Sequence, residues 1–223
     1  MRRLLRCAVL ALLAGPALAA PDPETLLLDD LEERIRRLNT GELRFLPAAP
    51  DRPVHHHLTR VEITPEALES GWVVLHQCHD RLDQVPETQI VYRPGTLRRL
   101  EIVGYRNIES ARVEGDSVQL QNVAADAQLC VAVETRALHR TGEREWELRT
   151  GPFMRRFLDG YFPMRVSLEV KHPDGVELVG TDPPAQPGFE VQDAAPWVTV
   201  EAWFEGRLST RIQFRERRPA REE

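Results

Sequence analysis

Residues 207–215 read RLSTRIQFR. Leu208, Thr210, Ile212 and Phe214 alternate with Arg207, Ser209, Arg211, Gln213 and Arg215. A period of two puts one set of side chains on each face of an extended chain, the pattern of a half-buried β-strand. The pattern recurs upstream. VHHHLTRVEI (54–63), GWVVLHQC (71–78), TQIVYR (88–93), LRRLEIV (97–103), SVQLQNV (117–123) and QLCVAVETR (128–136) read as strands. So do EWELR (145–149), MRVSLEV (164–170), VELV (176–179) and WVTVEAWF (197–204). Pro94-Gly95, Gly115-Asp116, Pro173-Asp174-Gly175 and Glu205-Gly206 separate them with the backbone freedom that tight turns require. Many short strands without βαβ alternation predict a mainly β fold, an antiparallel β-sandwich-like arrangement or an open barrel.

The ends differ from this body. MRRLLRCAVLALLAGPALAA (1–20) has a basic start, a short apolar run and an A-x-A site ending at Ala19. This is a signal peptide, too short in its apolar run to span a bilayer. It predicts a periplasmic or secreted protein cleaved near Ala19. Residues 20–41 predict an amphipathic helix: Asp22-Pro23-Glu24 suits a helix start, and Leu27, Leu28, Leu31, Ile35 and Leu38 recur at helical spacing. Residues 42–140 form a β-sandwich-like unit, 141–215 a second unit or a continuation of the first, and 216–223 a charged, disordered tail. HRTGERE (139–145) is a hairpin tip or a domain junction. GPFMRRFLDGYFP (151–163) is expected to hold a short amphipathic helix closed by Gly160.

The formal net charge is −6, and removing Met1–Ala19 with its three arginines and no acids makes it −6 − 3 = −9. An acidic exported chain is a poor partner for nucleic acid or anionic lipid. Lys171 is the sole lysine, which leaves almost no room for lysine chemistry. No G-x-S-x-G, H-E-x-x-H, C-x-x-C, phosphate loop or calcium loop is present. No transmembrane segment is expected beyond the leader.

LHQCHD (75–80) holds the sharpest chemical signal. The mature chain keeps two cysteines, Cys78 and Cys130, each in an expected strand. An even count in an oxidising compartment predicts a disulfide between them. Histidines flank Cys78, and His55, His56 and His57 lie upstream in the strand expected to pair with it. With Ile63 opposite Trp72, His57 falls opposite Cys78 and His56 opposite His79. That register offers His56 and His79 as a two-nitrogen site for Zn²⁺ or Cu²⁺. With reduced thiols it offers His57, His76 and Cys78 to a soft ion such as Cu(I). A one-residue slip would exchange the faces of one strand. The ordinary alternative is strand histidines hydrogen-bonded near a sheet end.

Arg155 and Arg156, among Phe153, Phe157 and Tyr161, form the second candidate. They read as a rim that holds an anionic or aromatic group, or as a lid whose aromatics plug one end of the body. The function expected is a non-catalytic binding or interaction module for an envelope protein or small ligand, with no cofactor. The alternative is copper or zinc handling through the histidines.

Overall fold

The computed structural model describes residues 40–157 and 160–217. The signal peptide expected over 1–19 and the amphipathic helix expected over 20–41 lie outside the described residues, except for positions 40 and 41. So does nearly all of the charged tail.

The described chain is mainly β. Its strands are β1 (Arg44–Phe45), β2 (His56–Glu62), β3 (Val73–Leu82), β4 (Val85–Val91), β5 (Leu97–Glu114), β6 (Ser117–Thr135), β7 (Leu138–Gly142) and β8 (Glu145–Phe153). They continue as β9 (Arg156–Phe157), β10 (Gly160–Tyr161), β11 (Met164–Lys171), β12 (Val176–Asp182), β13 (Phe189–Ala194), β14 (Trp197–Glu205) and β15 (Leu208–Glu216). One helix, α1 (Pro65–Ser70), joins β2 to β3. Thr64 Oγ1 caps it by accepting from the Ala67 amide at 3.2 Å, and Gly71 ends it in the left-handed conformation.

The larger sheet runs β1–β14–β11–β2–β3–β6–β4, with β13 also on β14 and β5 also on β6. The smaller runs β12–β15–β8–β7. Both orders are open, so neither sheet closes into a barrel. Pairing is antiparallel except between β2 and β11, which run parallel. The stretches 42–140 and 141–215 are therefore interleaved, because β11 and β14 extend the sheet that β2 and β3 begin. Residues 139–145 form the β7–β8 hairpin tip.

Chain connectivity forces a fold in the larger sheet. Val91 of β4 pairs with Ser117, and Leu97 of β5 pairs with Thr135. Six Cα steps between Val91 and Leu97 reach about 23 Å at most. An unbent β6 would hold Ser117 and Thr135 about 60 Å apart. The ribbon of β3–β4, β6 and β5 bends instead where Arg81, Asn107, Asn122 and Asp126 take positive φ and the registers shift. The Asn107 amide steadies the bend by donating to the Ala125 carbonyl at 3.1 Å. Bulges of this kind let strands turn a corner from one layer to another. The far end of the ribbon thus returns over the sheet. The Tyr92 hydroxyl, just beyond β4, donates to Gln77 Oε1 in the middle of β3 at 3.0 Å. Val118 and Leu120 on the returned arm are fully buried.

One hydrophobic cluster joins both sheets, from Val61 and Leu75 to Leu148, Ile212 and Phe214. The 207–215 stretch behaves as its alternation requires: Leu208, Thr210, Ile212 and Phe214 are buried and their neighbours are exposed. Gly206 makes the preceding turn at φ +91°, where an added Cβ would meet the Glu42 carbonyl oxygen at 2.0 Å. The turn thereby lets residues 41–46 lie against β14.

The helix expected within 151–163 is corrected. β8 runs to Phe153, and β9 and β10 pair as a small hairpin, Gly160 opposite Phe157 and Tyr161 opposite Arg156. A short apolar run does not separate the two periods. Here Phe153 is held as the last residue of β8 by pairing with Leu208.

Candidate functional site

Cross-strand register sorts the larger sheet into two unlike faces. The inner face is aliphatic at its flanks, with Val166, Leu168 and Val170 from β11 and Leu129, Val131 and Val133 from β6. The middle is polar. Thr59 stands opposite Gln77, and His57 opposite His79. All four are buried.

This register corrects the expected one. β2 is slipped by one residue against β3, so His57 meets His79 rather than Cys78, and His56 meets Asp80 rather than His79. Side chains alternate, so the slip changes which residues share a face. His56 and His76 lie on the outer face. His56 Nε2 is 2.7 Å from Ser167 Oγ, and His76 is exposed opposite Arg60.

The polar groups form a row. Tyr92 reaches Gln77, whose amide lies 3.5 Å from Thr59 Oγ1, and Thr59 Oγ1 lies 3.1 Å from His57 Nε2. The His57 ring packs over His79 with centroids 4.2 Å apart and against the edge of Phe153 at 4.9 Å. His79 Nδ1 is 3.1 Å from His55 Nε2. The arrangement that avoids burying an unpaired N–H has His79 Nδ1 donating to His55, which leaves a lone pair at His79 Nε2. That nitrogen is buried without a hydrogen-bond partner.

Burial sets the charge of the row. Loss of solvent holds His57 at about 3 and His55 at about 4; nearby Asp83 opposes the shift at His55, and Arg155 adds to it. His79 lies well below the ordinary imidazole range for the same reason, and His57 and His55 lower it further. Burial pushes the Tyr92 phenol upward. At neutral pH the row is uncharged, as a low-dielectric interior requires.

The sequence-derived metal sets do not assemble. His57 and His79 share the inner face, whereas His56 and His76 lie on the other. Among the described residues no group of three or more His, Cys, Asp and Glu side chains is placed to hold a metal ion. Cys78 and Cys130 are directly opposed on β3 and β6 and joined by a disulfide across the outer face. Sequence reading left His55 out of the candidate set, and Asp83 with it. Alternation carried a signal for His55, which falls on the same face as His57 and Thr59 in the expected strand 54–63 and is buried with them.

The Arg155 segment is partly committed to structure. Arg155 pairs with Asp83 through two contacts, 2.5 and 2.8 Å, and donates to the Pro163 carbonyl. Phe153 is buried against His57. Arg156 is exposed, with its guanidinium 5.7 Å from the Tyr161 ring, and Phe157 meets Phe162.

No protein-family model and no curated protein matches this chain.

The outer face supplies a concavity that sequence reading did not find. Near α1, a groove of about 370 Å³ opens over β2 and β3 with Trp72 and Trp197 in its lining. Arg60, Glu62 and His76 supply polar groups, and Val74 supplies apolar floor. Register brings them together: Trp197, Lys171 and Glu62 form one row across β14, β11 and β2, and β3 lies beside β2. The two tryptophans are more than a hundred residues apart in the chain.

Proposed function

We propose that this chain is a non-catalytic binding module, exported to the periplasm or secreted, built as a single sandwich-like unit. The groove beside Trp72 and Trp197 carries this reading. Trp197 keeps 43% of its surface exposed at a strand start, next to charged groups and a recess of small-ligand size. The disulfide suits an oxidising compartment. No described helix is long and apolar enough to cross a membrane. The partner surface formed by Arg156, Phe157 and Tyr161 at the β9–β10 hairpin belongs to the same reading as a second contact region.

The test is a fluorescence screen of the mature protein against small peptides, sugars, amines and lipids, with Trp197→Ala as control. A ligand that changes wild-type emission and spares the variant supports the module. If no class binds the wild type, the reading fails.

A second reading, copper or zinc handling, is supported by the unpartnered His79 Nε2 beside His55 and His57. Metal analysis of untagged protein decides it: stoichiometric copper or zinc that is lost in His79→Gln favours handling, and metal-free protein defeats it.

A further inference from the structure

We propose that the groove binds a neutral saccharide whose ring stacks on Trp197. This deepens the binding-module reading and rests on it.

The argument is one of charge and shape. Each charged group around the groove already has an ionic partner on a neighbouring strand. Lys171 Nζ donates to Glu62 at 2.8 Å, and Arg60 donates to Glu169 at 2.6 Å. Arg98 lies over the Trp72 ring at 3.8 Å and reaches Glu134 at 3.5 Å. An ionic ligand would have to displace one of these partners and gain little from a balanced surface. A polyol need not. Each carboxylate has acceptor capacity beyond its one cation, and each guanidinium has further N–H groups, so hydroxyls can bond to both while the ion pairs stay intact.

Shape adds the second half. Indole offers a wide, rigid apolar face at small conformational cost. The C–H face of a pyranose is apolar and of similar breadth, while its rim is polar. The groove pairs aromatic walls with polar groups, and its volume of about 370 Å³ falls within the range of small-molecule sites. Arg98 lies over the Trp72 ring, a cation–π contact that helps hold that ring in place.

The experiment is calorimetric titration of the mature protein with cellotetraose, maltotetraose and chitotetraose, alongside choline and an acidic tetrapeptide. Wild type, Trp197→Ala and Trp72→Phe are compared, each checked by its urea midpoint. The expected result is saccharide binding that is insensitive to 0.5 M salt, with a tenfold or greater loss of affinity in Trp197→Ala. Saccharide binding unchanged in both variants overturns the site. Choline or peptide binding that depends on Trp197, without saccharide binding, overturns the ligand class and leaves the module standing. No binding to any saccharide overturns the proposal, and only the broader fluorescence screen then bears on the module.

Discussion

Acidification should unfold this protein through its buried histidines. His55 is held at about 4 and His57 at about 3, mainly by burial. Both take up protons near 6.5 in the unfolded chain. A histidine lowered in the fold binds its proton preferentially in the unfolded state. The stability it contributes is therefore complete above about pH 6.5 and drains as the pH falls towards 4 and then 3. Each imidazole costs about 1.4 kcal/mol per pH unit in that window. Two of them over 1.5 units remove about 4 kcal/mol by pH 5, a large part of a typical domain's 5–15 kcal/mol. His79 acts in the same direction. Asp83, Arg155, Asp80 and His56 are the charged or titratable groups that act on His55. The assay is urea unfolding at half-unit steps from pH 7.5 to 4.5, for wild type and His57→Gln. Carboxylates contribute equally to both, so the difference in slope isolates one imidazole, about 1.4 kcal/mol per pH unit. Parallel curves between pH 6.5 and 4.5 would refute the claim that His57 is buried neutral.

Three further outcomes follow from the same geometry. Cys78 and Cys130 should resist thiol labelling until the protein is reduced, and replacing both with serine should cost roughly 4 kcal/mol for the 52-residue separation, read from the urea midpoint; free thiols in native protein would contradict the cross-strand bond. Arg155→Ala should cost about 1–3 kcal/mol because it strands Asp83, while Arg156→Ala should stay within about 0.5 kcal/mol; equal effects would show that the Asp83 contact contributes nothing. Asn107→Val should cost about 1–3 kcal/mol and Asn107→Gly less, since the bend needs φ +56° and a β-branched residue resists it; a stable valine variant would remove Asn107 from the bend.

Most of the longer strands and their turns are legible in the sequence because burial on one face imposes a period of two, whereas β7 and β13 were not read and β6 was read as two strands. Leu208 to Phe214 and Val198 to Phe204 needed nothing more. The disulfide followed from the expected oxidising compartment and the pair of cysteines in expected strands. The histidine register did not follow. HHH at 55–57 puts an imidazole on either face of β2, and His76 and His79 do the same for β3, so alternation cannot choose between two registers one residue apart. The choice came from β11 and β6, whose aliphatic inner faces flank Thr59–Gln77 and His57–His79. The Arg155 segment misled because Phe153, Met154, Phe157 and Leu158 fit a helical spacing, whereas Leu208 pairs Phe153 into β8.

What the sequence determined by itself is local: which residues alternate, where the chain turns, and that Cys78 and Cys130 each fall in a strand. Tertiary structure decided everything that joins distant segments. The fold of the β3–β4, β5 and β6 ribbon depends on a link too short for a straight strand, a constraint visible only once pairing is known. The groove needs Trp72 and Trp197 brought to one end of a sheet by four strands in register. Periodicity reports which side of a strand faces inward. It carries no information about which strand lies beside it, and that neighbour decides whether a histidine becomes a neutral core residue or a surface base.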